Sequence, residues 1–446
     1  MSSTPFRKIG ANISWLLFDR VFRMVVGVVT LAVVARHLGT AEFGDLNFSI
    51  NLVALLTSVA GMSLDGVVIR ELVRRPEQSA HVLGSAAVLK IIGATLCILL
   101  VALIGWAEGG NSSTFPLAII ISMGFLPQAF DVTDLWFQRH LQSKFTVMAK
   151  SVALLIGAGT KIGLATHGAP IEMFAWAQAF DASLLSTALV VMYHRTGGTV
   201  LNWRASKEVI ATLLRDSWPL ILAGLLVGLY GRVEQFLVRS FLDSHSMGVY
   251  YASARITELW NFIPNLLLST LYPLLLEKRM ADHHAYLQWI QVTFDLLTSI
   301  GILVALGVTA LAPFLIKAIY GDDYLPAVNI LLIQAWFAPI TFSGAVRAQV
   351  LLMEGSTVYH WWAAVIGIAG NLGLGLWLTP KLGAPGAAIS ALAGYIMSAY
   401  FTSLLFPKLR ECGRMQTKAF LTVARLPQIL REPGNQEILR KLLKRS

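Results

Sequence analysis

Charge is what this 446-residue chain has least of: 13% of its residues are Asp, Glu, Lys or Arg, 56% are hydrophobic, and the mean hydropathy is +0.65. An ordinary soluble domain is about a quarter charged. A chain so poor in charge cannot cover itself with a water-facing surface. That excludes a soluble enzyme, a disordered chain and a nucleic-acid-binding module. Cysteine is almost missing as well. Cys97, in an apolar run, and Cys412, in a basic stretch, are too few for a disulfide framework and read as free thiols. There is no GxxxxGK[ST] loop, which excludes an ATPase of that kind, and no HExxH run or Cys/His cluster, so no cofactor or metal is expected. Long external connections are also lacking, which argues against a membrane-integral sugar polymerase or ligase. His283 and His284 fall in a short connection and read as solvated surface.

Long apolar runs are what the chain does have. A membrane-spanning helix needs roughly 20 apolar residues, and candidate spans occupy 12–35, 44–65, 82–106, 115–138, 146–166, 172–193, 216–240, 247–275, 290–312, 325–350, 359–379 and 384–406. Long runs between charged connections are a helical signature, whereas a β-barrel shows short alternating segments. The first run is interrupted by Asp19, Arg20 and Arg23 and is too long for a cleaved signal, so it reads as an uncleaved anchor. With the N-terminus inside, alternate connections on the inner side hold 23 Lys and Arg, ten of them beyond residue 406. The outer side holds only Arg36, Lys317 and Lys381. The positive-inside rule therefore places both termini in the cytoplasm. The net charge of +10 is mostly an insertion signal, and the basic tail also suits anionic membrane lipids. The chain divides into an N-terminal half at 1–193, a basic cytoplasmic linker at 194–215, a C-terminal half at 216–406 and a basic tail at 407–446. A faint repeat at an offset of 204 residues pairs Leu38 with Leu242, Gly44 with Gly248 and Ser49 with Ser253. Two six-span halves related in this way share an axis along the membrane normal.

Ionisable groups inside the runs are the informative residues: Arg20, Arg23, Lys90, Lys150, Lys161, Arg232, Arg239, Arg255 and Arg347, with Asp19, Asp131, Asp134, Asp181, Glu234, Glu258 and Asp295. Each charge at mid-bilayer costs about 2.5–3.5 kcal/mol. They must snorkel, pair or face water. Lys90, Lys150 and Arg239 lie close to span ends and read as headgroup-level anchors. Arg255 and Glu258, three apart on one helix, read as a pair. Asp19, Arg20 and Arg23 crowd one helix face, and Arg232, Arg347 and Lys161 lie deeper, which points either to a cationic cavity between the halves or to buried ion pairs that fix helix packing. Gln128, Asp131, Asp134 and Gln138 make one face of the fourth span wet. Its acids either bind a proton or sodium ion or neutralise nearby cations.

Five segments carry a resemblance. ARHLGTAEFGDLNFSINLVALLTSVAGMSLDGVVIRELVR (Ala35 to Arg74), DLWFQRHLQSKFTVMAKS (Asp134 to Ser151), the run from Ser217 to Pro264 containing YGRVEQFLVRS, YGDDYLPAVNILLIQAW (Tyr320 to Trp336) and NLGLGLWLTPKLGAPGAAIS (Asn371 to Ser390) resemble, in order, polysaccharide and O-antigen exporters. The resemblance is to Wzx-type flippases of the multidrug/oligosaccharidyl-lipid/polysaccharide exporter superfamily. Where that family often has Asp in the seventh span, this chain has Glu234, next to Arg232.

The resemblance implies an all-α integral membrane protein of about 12 transmembrane helices in two six-helix bundles around a central cationic cavity. It implies a bacterial inner-membrane flippase, not an enzyme, moving undecaprenyl-diphosphate-linked oligosaccharide (O-antigen or exopolysaccharide units) to the periplasmic leaflet by alternating access. Arg20, Arg23, Lys161, Arg232, Arg347 and Arg255 are then candidates for the diphosphate or acidic sugars. Asp19, Asp131, Asp134 and Glu234 are candidates for ion coupling or charge pairing. Trp136, Trp176, Trp260 and Trp336 either stack on sugars or pack. Transport would draw on the membrane potential, worth about 2.3 kcal/mol per charge per 100 mV, or on antiport of a proton or sodium ion. A polysaccharide polymerase and a chain-length regulator would be downstream partners, and nucleic acid is not a partner. A peptidoglycan-precursor flippase and a drug exporter share the architecture. A drug exporter for cations would want an acidic cavity.

Overall fold

The computed structural model describes residues 4–108 and 114–421, and among them every regular element is helical. Side chains before Phe22 lie outside the described residues. This is the expected class, an all-α integral membrane protein of about twelve spans in two bundles. Eleven helices are long and apolar enough to cross a membrane, the first being Phe22–Leu55. Straight, those 34 residues would reach about 51 Å at 1.5 Å per residue, against a hydrocarbon core of about 30 Å. The helix is not straight. Gly39 sits at φ 68°, ψ 179° within Thr4–Leu55 and divides it into two arms, which brings the crossings to twelve. A residue without Cβ adopts that left-handed φ at little cost. The second arm stops at Met62 and Ser63, both at positive φ, before the short helix Asp65–Arg74 begins.

Most of the spanning helices carry apolar residues on every side. Leu99 and Leu103 of the helix Ser79–Ala107 and Leu303 and Phe314 of His283–Ile319 are more than half exposed. Such side chains on a helix apolar all round belong against lipid. Helices satisfy their own backbone groups, which is what permits them to lie in hydrocarbon.

The described residues fall into two compact units, one spanning Val25–Arg232 and the other Val233–Ser446 with Met1–Met24. In the first, Ser79–Ala107 approaches the end of the second arm so closely that a Cβ on Gly93 would lie 2.4 Å from the Val59 carbonyl oxygen. A buried cluster of Leu64, Val68, Leu72, Leu83, Phe137 and Leu213 closes one end of this unit. The segment expected as a linker, 194–215, packs onto that cluster through Val200 and Trp203. It is tied further by the Arg204 N–H to Ala80 O (3.3 Å) and the Ser206 N–H to Ser85 Oγ (3.0 Å). The helix Lys207–Tyr230 belongs to the same unit and packs on Ser79–Ala107 and Asp65–Arg74.

In the second unit the seventh crossing resumes as Val233–Phe241 and packs on Val358–Leu382 and Ala384–Ile396. Those last two meet at Gly383 (φ 66°), which is followed by Pro385 in the first helical turn. The final span passes through a π turn at Met397–Phe401. The helix Arg410–Leu421 lies on His283–Ile319, held by Gln416 donating to Ser343 Oγ (3.1 Å) and the Ala399 carbonyl (3.0 Å).

Asp243 caps the helix Ser244–Glu258, accepting from the Ser246 N–H at 2.8 Å. That backbone donor holds the Asp243 carboxyl below its ordinary value. The cap therefore stabilises the fold above the usual carboxylate range and is lost as pH falls through the lowered value. Asp243→Ala is expected to cost about 1 kcal/mol at neutral pH. Thermal unfolding of the purified protein should show the gap between variant and wild type closing as pH falls.

Candidate functional site

The first unit holds a polar cavity of about 320 Å³, lined among others by Ser58, Ser63, Asp65, Lys90, Gln128 and Asp131. Lys90 reaches it from the middle of an otherwise apolar helix. It is 5% exposed, so it is not the headgroup-level anchor that its position near a predicted span end suggested. Its ammonium lies 2.6 Å from Asp131 Oδ1 and 3.2 Å from Asp65 Oδ1. Burial of a lone ammonium is prohibitive, and two carboxylates make it tolerable. Asp65 keeps 71% of its side chain exposed and Asp131 25%, so both acids also face the cavity. One cation between two acids leaves a net negative charge there. Asp65, the last residue of the second candidate span, is a member of the site that the sequence pattern does not single out.

Asp131 stands where the fourth crossing leaves regular α-helix. A 3₁₀ turn at Ala129–Asp131 rotates it toward Lys90 before Val132–Arg139 resumes. Asp134 faces a different neighbour, accepting from Thr146 Oγ1 (2.5 Å) and Lys150 (3.1 Å). The two acids of the wet face thus serve separate cations.

Arg232 lies on the break between the helices Lys207–Tyr230 and Val233–Phe241. Its Nε donates to Asn51 Oδ1 (3.3 Å) and its guanidinium to the Gly228 carbonyl (3.2 Å). Asn51 and Asn47 form a ladder on the second arm, each donating to the carbonyl four residues before it. Gly224 allows the close packing of the two elements, since a Cβ there would lie 2.6 Å from the Ser58 Cβ. Ser63 Oγ donates to the Leu220 carbonyl across the same contact (3.3 Å). Arg232 therefore has neutral acceptors only among the described residues, and it is half-buried. A guanidinium held by carbonyls keeps its full charge for an anion.

The remaining candidates are dispersed. Lys161 pairs with Asp181 (2.5 Å) and Gln178 (2.9 Å) across neighbouring helices. Arg255 and Glu258 form the expected pair (2.5 Å), each about half exposed. Arg23 is half-buried, and Asp19 and Arg20 lie outside the described side chains. Arg347 is 4% exposed and donates to Thr402 Oγ1 (2.5 Å), beside the π turn. Glu234 is buried and accepts from Asn371 (3.3 Å), whose Oδ1 accepts from Ser390 (3.0 Å). Two segments far apart in sequence meet there, Glu234 and the consecutive helices that carry Asn371 and Ser390. Trp136 packs on His140 and Tyr193, Trp260 is buried, and Trp176 and Trp336 are 50% and 41% exposed.

Helices of this length and apolarity, with polar cavities and paired charges inside them, define a multi-pass membrane protein. Solved structures share the fold. A multidrug resistance MATE family transporter of the MOP superfamily, in an inward-facing conformation, matches with TM-score 0.69 at 15% identity, covering 89% of this chain and 96% of that one. The lipid II flippase MurJ, in an inward closed conformation, matches with TM-score 0.67 at 15% identity, covering 96% and 95%. The Vibrio cholerae MATE transporter VcmN in its bent form gives 0.54 at 16% identity, covering 93% and 100%. No curated relative matches significantly. The sequence pattern of the polysaccharide biosynthesis protein family matches residues 9–278, and the chain belongs to that family.

Removing Lys90 leaves two carboxylates facing each other. Lys90→Met is expected to destabilise the first unit by up to about 3–5 kcal/mol, and adding Asp131→Asn to restore part of the loss. A double-mutant cycle in thermal unfolding checks this. Equal melting of the single and double variants would remove the coupling.

Proposed function

We propose that the protein is a flippase for undecaprenyl-diphosphate-linked oligosaccharide repeat units of an O-antigen or exopolysaccharide. It would work in a bacterial inner membrane with both termini cytoplasmic, carrying the unit from the cytoplasmic to the periplasmic leaflet by alternating access. Membership of the polysaccharide biosynthesis protein family supports the pathway. The observation that carries the substrate class is Arg232, a cation in a membrane crossing whose hydrogen bonds, among the described residues, go to a carboxamide and a carbonyl. A diphosphate leaving the headgroup layer needs such a partner, and guanidinium bonds to phosphate are among the strong ones. Arg20, Arg23, Lys161, Arg255 and Arg347 are further candidates for the anionic parts of such a substrate. The prenyl tail remains in lipid, so only the polar head needs shelter.

The protein is read as a transporter and not as an enzyme. The acids divide between pairing and coupling. Asp134, committed to Lys150 and Thr146, serves pairing. Asp131 in its hydrated cavity and Glu234 with its amide and hydroxyl partners suit coupling to a proton or sodium ion. An inside-negative potential would also drive the doubly charged head outward, by roughly 4–5 kcal/mol at 100 mV. A polysaccharide polymerase and a chain-length regulator would act on the delivered unit.

The test is the sidedness of lipid-linked oligosaccharide in cells lacking the protein, probed with an impermeant enzyme from the periplasmic side. Units are expected to accumulate facing the cytoplasm, and wild-type protein to relieve this. Arg232→Ala should lower the outward-facing fraction roughly 10- to 100-fold at equal protein level, the loss of one charge-assisted bond of about 1.5–3 kcal/mol. Normal outward delivery without the protein would sink the reading.

A further inference from the structure

The second unit contains a different kind of cavity. It measures about 560 Å³ and lies between the helices Phe262–Ala281 and Phe337–Met353. Ligand sites commonly measure about 300–1,000 Å³. One wall carries Asn265, Ser269 and Tyr272, the other Gln349 with Ala345 and Ala348. Asn265, Ser269 and Tyr272 fall at helical spacing, so one face of a membrane-spanning helix is polar along two turns. The alanines opposite leave the room that larger side chains would fill.

None of these lining groups carries a charge at neutral pH. Arg347, on the same helix as Gln349, is turned away toward Thr402. Asn265 spends one donor on the Asn261 carbonyl (3.2 Å) and Ser269 its hydroxyl on the Leu266 carbonyl (2.8 Å). Among the described residues the Gln349 amide and the Tyr272 hydroxyl make no hydrogen bond with the protein. A polar side chain in a membrane crossing is costly unless water or a ligand satisfies it. Two carboxamides and a phenol offer donors and acceptors in alternation, which is what vicinal hydroxyls need, and a tyrosine ring offers an apolar face. A cationic drug would find no carboxylate here and a diphosphate no cation.

We infer that this cavity is a subsite for uncharged, hydroxyl-rich sugar residues of the transported headgroup, with Gln349 and Asn265 reading their hydroxyls. The inference rests on the flippase reading above and deepens it by naming side chains that read the glycan portion of the substrate. A site built to hydrogen-bond hydroxyls discriminates strongly against a ligand lacking them, because its amides are then left unpaired.

The full-length protein in lipid nanodiscs tests this with two probes, undecaprenyl diphosphate bare and undecaprenyl diphosphate bearing the host strain's own repeat unit. Wild type is expected to bind the glycosylated probe at least tenfold more tightly. Asn265→Leu/Gln349→Leu, close in volume, should bring the glycosylated probe down to the affinity of the bare one and leave the bare one unchanged. Ala345→Leu, which fills the space without removing a polar group, should do the same and guards against a folding artefact in the double variant. Wild-type affinity for the glycosylated probe in both variants overturns the subsite. Equal wild-type affinity for the two probes also overturns it while the flippase reading stands. Failure of wild type to bind either probe removes both.

Discussion

A charge in a hydrocarbon layer has to be hydrated, neutralised or held by dipoles, and the interior of this protein is arranged around that requirement. Lys90 is neutralised twice over, by Asp65 and Asp131. Lys161 is met by Asp181 from the next helix, and Lys150 by Asp134. Arg232 is treated differently, resting on an asparagine and a backbone carbonyl. The distinction matters for function. A cation with an acid partner is spent on structure or on proton and ion exchange, whereas a cation held by neutral dipoles still attracts an anion.

The same requirement shapes the helices. At three inward-facing charged or polar groups regular geometry is interrupted: a 3₁₀ turn at Asp131, a break at Arg232, a π turn beside the Arg347 partner Thr402. Each interruption turns a side chain through a fraction of a turn that an unbroken helix would not allow. Glycine enters where the backbones must come close enough for short polar side chains to bridge them, as Gly93 does against Val59 and Gly224 against Ser58. The apolar faces that remain carry little positional information, since lipid accepts any of them.

The two units differ in the polar chemistry they enclose. The first holds the Lys90 cluster and the Arg232 guanidinium. The second offers a neutral cavity of carboxamides and a phenol.

Much of this was legible from residues alone. Apolar run length, charge scarcity and Lys/Arg asymmetry establish a helical multi-pass membrane protein with about twelve crossings, because partition into lipid is a sum over local segments. The Arg255–Glu258 pair was legible too, since both lie on one helix turn. What only the tertiary structure decided is which charges are neutralised. Lys90 sits near a span end and reads as an anchor until Asp131, 41 residues away, is brought against it. Arg232 meets an asparagine 181 residues distant, and Glu234 meets Asn371 across 137. Hydropathy is additive along the chain, but electrostatic partnership in a low dielectric depends on distances of a few ångströms between elements that the sequence holds far apart.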